Sequence, residues 1–145
     1  MATSSAAIES GKIFPSSSAQ DRIALTARVL LAAIFVMSGL GKVAAPAATL
    51  AYMKAAGLPL APLGLAGAAL IELGGGVALI LGYRTRATAV ILALFTVVTA
   101  LVFHSALSDQ NQMIHFFKNV AMAGGLLQIA AFGGGRLSRD ARSSK

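Results

Sequence analysis

The stretch Ile71-Glu72-Leu73-Gly74-Gly75-Gly76 places a carboxylate near the middle of an apolar run from Leu63 to Gly82. A helix of this length extends about 30 Å, which is enough to cross a bilayer, and Glu72 falls roughly halfway along it. A charged side chain at that depth costs roughly 2.5 to 3.5 kcal/mol, so it normally faces protein or water and has a partner. Small residues share its helix face: Gly64, Ala68, Gly75 and Gly76. The pattern predicts that Glu72 points into a helix bundle.

Two interpretations of Glu72 are open at this point. A carboxylate inside an apolar helix can belong to a functional site, because intramembrane ionisable groups commonly mark ligand or proton pathways. It can equally form a buried ion pair whose only effect is to fix how helices pack.

The composition of the 145 residues is that of an integral membrane protein, with 57% hydrophobic and 12% charged residues. The net charge of +7 does not indicate a nucleic-acid partner, because the basic residues cluster in tails and one loop. The chain has no cysteine, which excludes disulfides, thiol redox chemistry and cysteine-ligated iron–sulfur or zinc centres.

Apolar runs predict an all-α transmembrane four-helix bundle occupying residues 23–135. A signal peptide is the alternative for the first run, but that run is longer than the usual ~7 to 15 residues of such a segment. A short interfacial helix is expected between the first two runs, with an irregular loop as the alternative. The four predicted spans and this short helix are, in order, Ile23–Leu40, Pro46–Gly57 (the short helix), Leu63–Gly82, Arg86–Leu107 and Met113–Phe132.

Both ends of the chain lie outside the predicted bundle. Residues 1–22 are rich in Ser and Ala and are expected to form a disordered tail. Residues 136–145 form a basic tail suited to an anionic membrane surface. The basic residues of both tails and of the Arg84–Arg86 turn fall on one side of the predicted bundle. By the positive-inside rule, both termini are expected in the cytoplasm of a cell with a bacterial-type inner membrane. Arg28, inside the first span, is expected to reach lipid head groups by snorkelling.

Polar side chains gather in the half of the predicted bundle that faces away from the cytoplasm. His115, Lys118 and Asn119 share one helix face, and Lys42 and His104 end their spans at the same depth. The long stem of Lys118 predicts an ion pair with Glu72. These groups could bind a small polar head group such as that of a quinone and relay protons, since histidine titrates near neutrality. A buried polar network without a ligand has the same composition.

Haem and metal sites are not expected from this cluster. The two histidines lie near one predicted hairpin, and the chain lacks a Cys-x-x-Cys-His haem attachment sequence. His104, Asp109 and His115 show no spacing that demands a metal ion.

The ordered set of motifs resembles the DoxX family of small four-span membrane proteins, over about residues 28–137. The matching pieces are Arg28 and Phe35 with Gly39-Leu40-Gly41-Lys42, then Glu72 and Gly76 with Gly82-Tyr83-Arg84-Thr85-Arg86, then Phe103-His104, and last His115-Phe116-Phe117-Lys118-Asn119 with Gly124-Gly125. The resemblance implies a membrane subunit of a quinone-linked redox system. The loop after His104 is short and lacks the aromatic residues that we associate with relatives, so substrate access can differ.

The functional hypothesis is a membrane redox subunit in which Glu72 and His104 handle protons. Lys42, His115, Lys118 and Asn119 would then bind and orient a quinone-like head group. Partner subunits would supply the redox centre, membrane lipids would surround the chain, and a homo-oligomer is left open. The alternatives are a non-catalytic docking or assembly subunit and a small transporter.

Overall fold

The computed structural model describes residues 17–143, and this part of the chain is all-α. The predicted disordered tail lies outside the described residues except for 17–22, which are helical and extend the first span toward the N-terminus. The six helices within the described range are α1 (Ser17–Ala44), α2 (Pro46–Ala55), α3 (Ala61–Leu81), α4 (Thr85–Phe103), α5 (Gln110–Phe132) and α6 (Arg139–Ser143).

The four long helices overlap the four predicted spans, although α1 is longer at both ends and α4 ends at Phe103 instead of Leu107. Within residues 17–143, α1, α3 and α4 have both the length and the hydropathy to cross a membrane. α5 has 23 residues, which is long enough, but it is not among them. Polar residues in its first half lower its hydropathy: Gln110, Asn111, Gln112, His115 and Lys118. α5 packs along α4 in an antiparallel hairpin, and this is the most extensive helix contact.

The predicted short helix between the first two spans is confirmed as α2. Pro46 occupies its first turn, where the missing amide hydrogen costs nothing, and Gly57 follows its end at a φ of 75°. α2 packs on α3 through the buried side chain of Met53.

The core lies between α1, α3, α4 and α5, and glycines let the helices come close. A Cβ atom on Gly76 would lie 2.8 Å from Val36 of α1, and one on Gly75 would lie 2.8 Å from Leu92 of α4. Side chains of Phe35, Leu92 and Leu126 fill the centre. Small residues therefore set the spacing of this bundle, as expected for packing in lipid.

Both described ends of the chain lie at one end of the bundle, which we call the tail end. The amide of Arg136 donates to the carboxylate of Asp21 near the start of α1, at 2.9 Å. The amide of Asp140 donates to the carbonyl of Gly82, at 3.0 Å, so the C-terminal segment packs on the α3–α4 turn. The opposite end carries the turn between α4 and α5, and we call it the hairpin end.

Arg28 is fully buried at the tail end, so the prediction that it snorkels to lipid head groups was wrong. Its guanidinium donates to the carbonyls of Leu79 and Ile80, at 3.3 and 3.4 Å, and to that of Leu137, at 2.7 Å. The last carbonyls of a helix lack intrahelical partners and form its negative end, so they stabilise a cation nearby. Gly82 leaves the space that the guanidinium occupies, because a Cβ there would collide with it.

Replacing Arg28 with Met should lower the free energy of unfolding by about 3 kcal/mol, since three carbonyls lose a charged donor. The matched control is Arg22→Met in the same helix, whose side chain is exposed and contacts only the carbonyl of Ser18 among the contacts described here. Thermal unfolding of both variants in one detergent measures the difference. Equal melting temperatures for the two variants would contradict the assigned role.

Asp140 caps the N-terminus of α4. Its carboxylate accepts hydrogen bonds from the amides of Arg84 and Thr85, at 2.7 and 2.8 Å, and from the Thr85 hydroxyl at 2.7 Å. Burial alone would raise the pKa of Asp140, but these hydrogen bonds, with the charge of Arg28, hold the pKa below its ordinary value. The cap therefore stabilises the fold only while the carboxyl is ionised.

The lowered pKa of Asp140 predicts how stability depends on pH. Its contribution is fully present above the unfolded-state pKa of about 4 and is lost as the pH falls through the lower folded-state pKa. Asp140→Asn should cost about 1 kcal/mol at pH 7. Melting temperatures from pH 7 down to pH 3 should show the wild type converging on the variant. A constant gap between the two curves would exclude this linkage.

Candidate functional site

An ion pair between α1 and α3 forms the deepest part of the candidate site. Lys42 lies in the last turn of α1, and Glu72 lies near the middle of α3 with 4% of its surface exposed. Lys42 Nζ is 2.9 Å from each carboxylate oxygen of Glu72. Nζ also donates to Ser38 Oγ at 2.8 Å, and Ser38 donates to Glu72 Oε1 at 3.1 Å. The three side chains form one polar cluster between two apolar helices.

The predicted pairing of Glu72 with Lys118 was wrong, because Lys42 is the partner. Lys118 was predicted as the partner only from its depth in the bundle, but α1 is the helix that packs most closely on α3. Gly39 permits this approach, since a Cβ there would lie 2.7 Å from Leu73 and 3.2 Å from Glu72 Cβ. The close contact brings the end of α1 beside the carboxylate.

One carboxylate oxygen of Glu72 is left without a well-aligned hydrogen bond. Oε2 is buried, and no donor within residues 17–143 meets it at hydrogen-bonding angles, although Lys42 Nζ lies close enough to compensate its charge. Buried carboxylate oxygens are normally satisfied, and here the charge of Lys42 at 2.9 Å takes the place of an aligned donor.

The histidines and Lys118 lie at the hairpin end. His104 follows the last residue of α4, and its Nδ1 lies 2.8 Å from Oε1 of Gln112 on α5. The rings of His104 and His115 stack with centroids 5.0 Å apart. Lys118 Nζ lies 3.0 Å from His115 Nδ1 and donates to it in the tautomer that carries its hydrogen on Nε2. Asp109 caps α5 by accepting from the Gln112 amide at 2.8 Å, which fixes the position of Gln112.

A cavity of about 690 Å³ connects the ion pair to this end of the bundle. Among the predicted site residues, those that line it are Lys42, Glu72, His104, Lys118 and Asn119. His115 does not line it and contacts the cavity residues His104 and Lys118 from outside. The structure thus brings five of the six predicted side chains to one cavity.

Several cavity residues were not singled out from the sequence. Ser38 precedes Lys42 by one helical turn, a spacing that could have revealed it. Thr96 and Thr99 donate to carbonyls one turn back in α4, at 2.7 and 2.8 Å, so their oxygens face the cavity only as acceptors. Tyr52 of α2 stacks on Phe103 of α4 at 5.6 Å, and no local sequence signal predicts this contact.

The lining of the cavity is uneven in polarity. Charged and amide groups come from α1, α3 and α5, whereas α4 contributes mostly apolar side chains, Phe95, Val98, Val102 and Phe103. With Lys42 and Glu72 compensating each other, Lys118 leaves the lining with one net positive charge when His104 is neutral. Such a lining suits a molecule that has hydrogen-bonding oxygens on an apolar body.

The family model named DoxX matches residues 23–105. The chain belongs to the DoxX family. Lys42, Glu72 and His104 lie within the matched segment, whereas Lys118 and Asn119 on α5 lie beyond it. The family membership and the apolar helices agree in identifying a membrane protein.

Two curated relatives come from Escherichia coli (strain K12). The chain is 40% identical over 118 residues to the inner membrane protein YqjF, covering 80% of this chain and 88% of the relative. It is 31% identical over 136 residues to the inner membrane protein YphA, covering 90% and 97%. No solved structure matches the chain.

Coupling between Lys42 and Glu72 can be measured with a double-mutant cycle. Lys42→Met and Glu72→Gln should each destabilise the fold, Lys42→Met by about 3 kcal/mol because it leaves a buried charge unpaired. The double variant should lose less than the sum of the two, because neither charge then remains. Thermal unfolding measures all three, with Lys54→Met on the exposed face of α2 as control. Strictly additive losses would contradict the coupling.

Proposed function

We propose that this DoxX-family protein binds a quinone-like molecule in its cavity and acts as a subunit of, or partner to, a quinone-linked redox system. The observation that carries the proposal is the Glu72 carboxylate, paired with Lys42, in the wall of a largely apolar cavity. A quinol hydroxyl is a donor of the size and polarity that a carboxylate oxygen can accept. The apolar wall from α4 suits the ring and the start of a lipid tail.

Each polar residue then has a role set by its position. Lys118 and Asn119 donate to a carbonyl oxygen of the head group, and Lys42 keeps Glu72 oriented while also facing the cavity. His115 does not touch the cavity, so it acts by positioning Lys118 through their 3.0 Å contact. The binding residues therefore come from α1 and α3 on one side of the cavity and from α5 on the other.

Quinone chemistry exchanges two electrons and two protons, and this chain supplies groups for the protons. The Glu72 carboxylate accepts a proton from a bound hydroxyl, and His104 passes protons between the cavity and the hairpin end. Gln112 Oε1 accepts a hydrogen bond from Nδ1–H of His104, which leaves Nε2 to take up the proton and release it. The electrons go to a partner subunit, since the chain has no cysteine for an iron–sulfur centre.

The proposed location is an inner membrane, as the names of both relatives state for those proteins. We place the tail end in the cytoplasm, because Arg84, Arg86 and the basic C-terminal segment lie there. The cavity then opens on the outward side. Quinones reach such a site from the bilayer.

A non-catalytic docking or assembly subunit is the second candidate. It is favoured by the ion pair, which compensates both of its charges inside the protein without any ligand. In this case Lys118 contributes nothing to ligand retention.

Lipid extraction and native mass spectrometry of the gently solubilised protein distinguish the two functions. Wild type should carry quinone, and Lys118→Met should retain roughly tenfold less, the effect of about 1.4 kcal/mol of lost binding energy. The control Lys54→Met removes the same charge from the exposed face of α2 and should retain the wild-type amount. Wild type without quinone, or equal quinone contents in the two variants, would favour docking.

A further inference from the structure

A second cavity of about 490 Å³ lies at the tail end, on the opposite end of the bundle from the ion pair. Its walls come from the N-terminus of α4, the Gly133–Gly135 loop after α5 and the C-terminal segment near Asp140. Arg84 and Arg86 line it, and both are exposed. The quinone proposal uses none of these residues.

Arg86 is positioned over the glycine loop. Its Nε and Nη2 atoms are 3.5 and 3.9 Å from the place that a Cβ on Gly133 would occupy. Gly133 and Gly135 have φ values of 82° and 72°, which other residues rarely adopt. The guanidinium therefore lies directly beside main chain that carries no side chains.

The glycine loop also offers hydrogen-bond donors that the protein does not use. In the part of the chain that the structure describes, the amides of Gly134 and Gly135 donate to no acceptor, although Gly134 is buried. Buried amides are nearly always paired, so the amide of Gly134 indicates an acceptor from outside the protein. Consecutive amides in a glycine turn commonly bind anionic oxygens.

Asp140 is the one acidic residue that lines this cavity, and it does not cancel the positive charge. Its carboxylate already accepts from Thr85 twice and from the Arg84 amide, and Arg28 lies near enough to stabilise its charge. Two arginines against one such carboxylate leave a net positive cavity.

We infer that this cavity is a binding site for a phosphate group, held by Arg84, Arg86 and the amides of Gly134 and Gly135. Guanidinium groups bind phosphate oxygens with paired hydrogen bonds, and glycine-loop amides donate to the same oxygens. The phosphate can belong to an anionic phospholipid or be free in solution, and the chemistry at the protein is the same. The inference is independent of what the larger cavity binds.

The test uses the full-length protein purified in detergent, so that an effect of the substitutions on membrane orientation does not alter the binding measurement. The first pair is the double variant that carries both Arg84→Gln and Arg86→Gln. The control pair is the double variant that carries both Arg136→Gln and Arg142→Gln. It removes the same charge from the same end of the bundle but from residues outside the cavity. Native mass spectrometry measures retention of phosphatidylglycerol against phosphatidylcholine, and isothermal titration measures binding of inorganic phosphate.

The expected result is about a tenfold loss of phosphatidylglycerol retention in the first pair and little loss in the control pair. Phosphatidylglycerol retained by wild type and not displaced by inorganic phosphate identifies a lipid head group as the ligand. If inorganic phosphate binds to wild type without added lipid, and binds more weakly to the first pair than to the control pair, the ligand is free phosphate. Equal losses in the two pairs for both ligands would overturn the inference, because diffuse positive charge would then explain the binding.

Discussion

The contact between α1 and α3 carries both of the charged side chains that are buried within residues 17–143, and the rest of the structure is arranged around it. At the tail end α1 supplies the charge, Arg28, and α3 supplies the carbonyls that accept from it. At the hairpin end α3 supplies the charge, Glu72, and α1 supplies Lys42. A charge inside an apolar bundle must have a partner, and each helix here supplies the partner for the other.

The glycines between these two points explain why the pairing is possible. Arg28 reaches main-chain carbonyls, and Lys42 reaches a carboxylate near the middle of α3, only because the two helices touch along Gly39 and Gly76. Larger residues at these positions would move α1 away, and both charges would lose their partners together. Packing and electrostatics are therefore one constraint in this protein.

The sequence predicts the long helices because hydropathy and turn residues act locally. Pro46, Gly57 and Gly82 mark helix ends within a residue or two of those observed. Contacts between side chains on different helices do not depend on local sequence, and the predictions for Lys118 and Arg28, which concerned such contacts, were wrong. The spacing of residues along one helix predicts how deep a side chain lies and on which face of the helix. It does not predict which neighbouring helix packs against that face. For Glu72 that helix is α1, because Gly39 lets α1 come close. The packing of residues 136–143 onto α1 and α4 depends on Asp21 and Asp140, whose partners are more than 50 residues away.

The cavity follows from unequal contacts among the helices. α1 packs tightly on α3, and α4 packs tightly on α5, whereas α1 and α5 touch much less. Two tight pairs that meet loosely leave space between them at the hairpin end, and α2 covers part of it through Met53 and the Tyr52–Phe103 stack. α4 lines that space largely with apolar side chains, and α1 and α3 line it with the Lys42–Glu72 pair. A lining that combines a charged pair with apolar side chains suits a molecule that carries a polar head group on an apolar body.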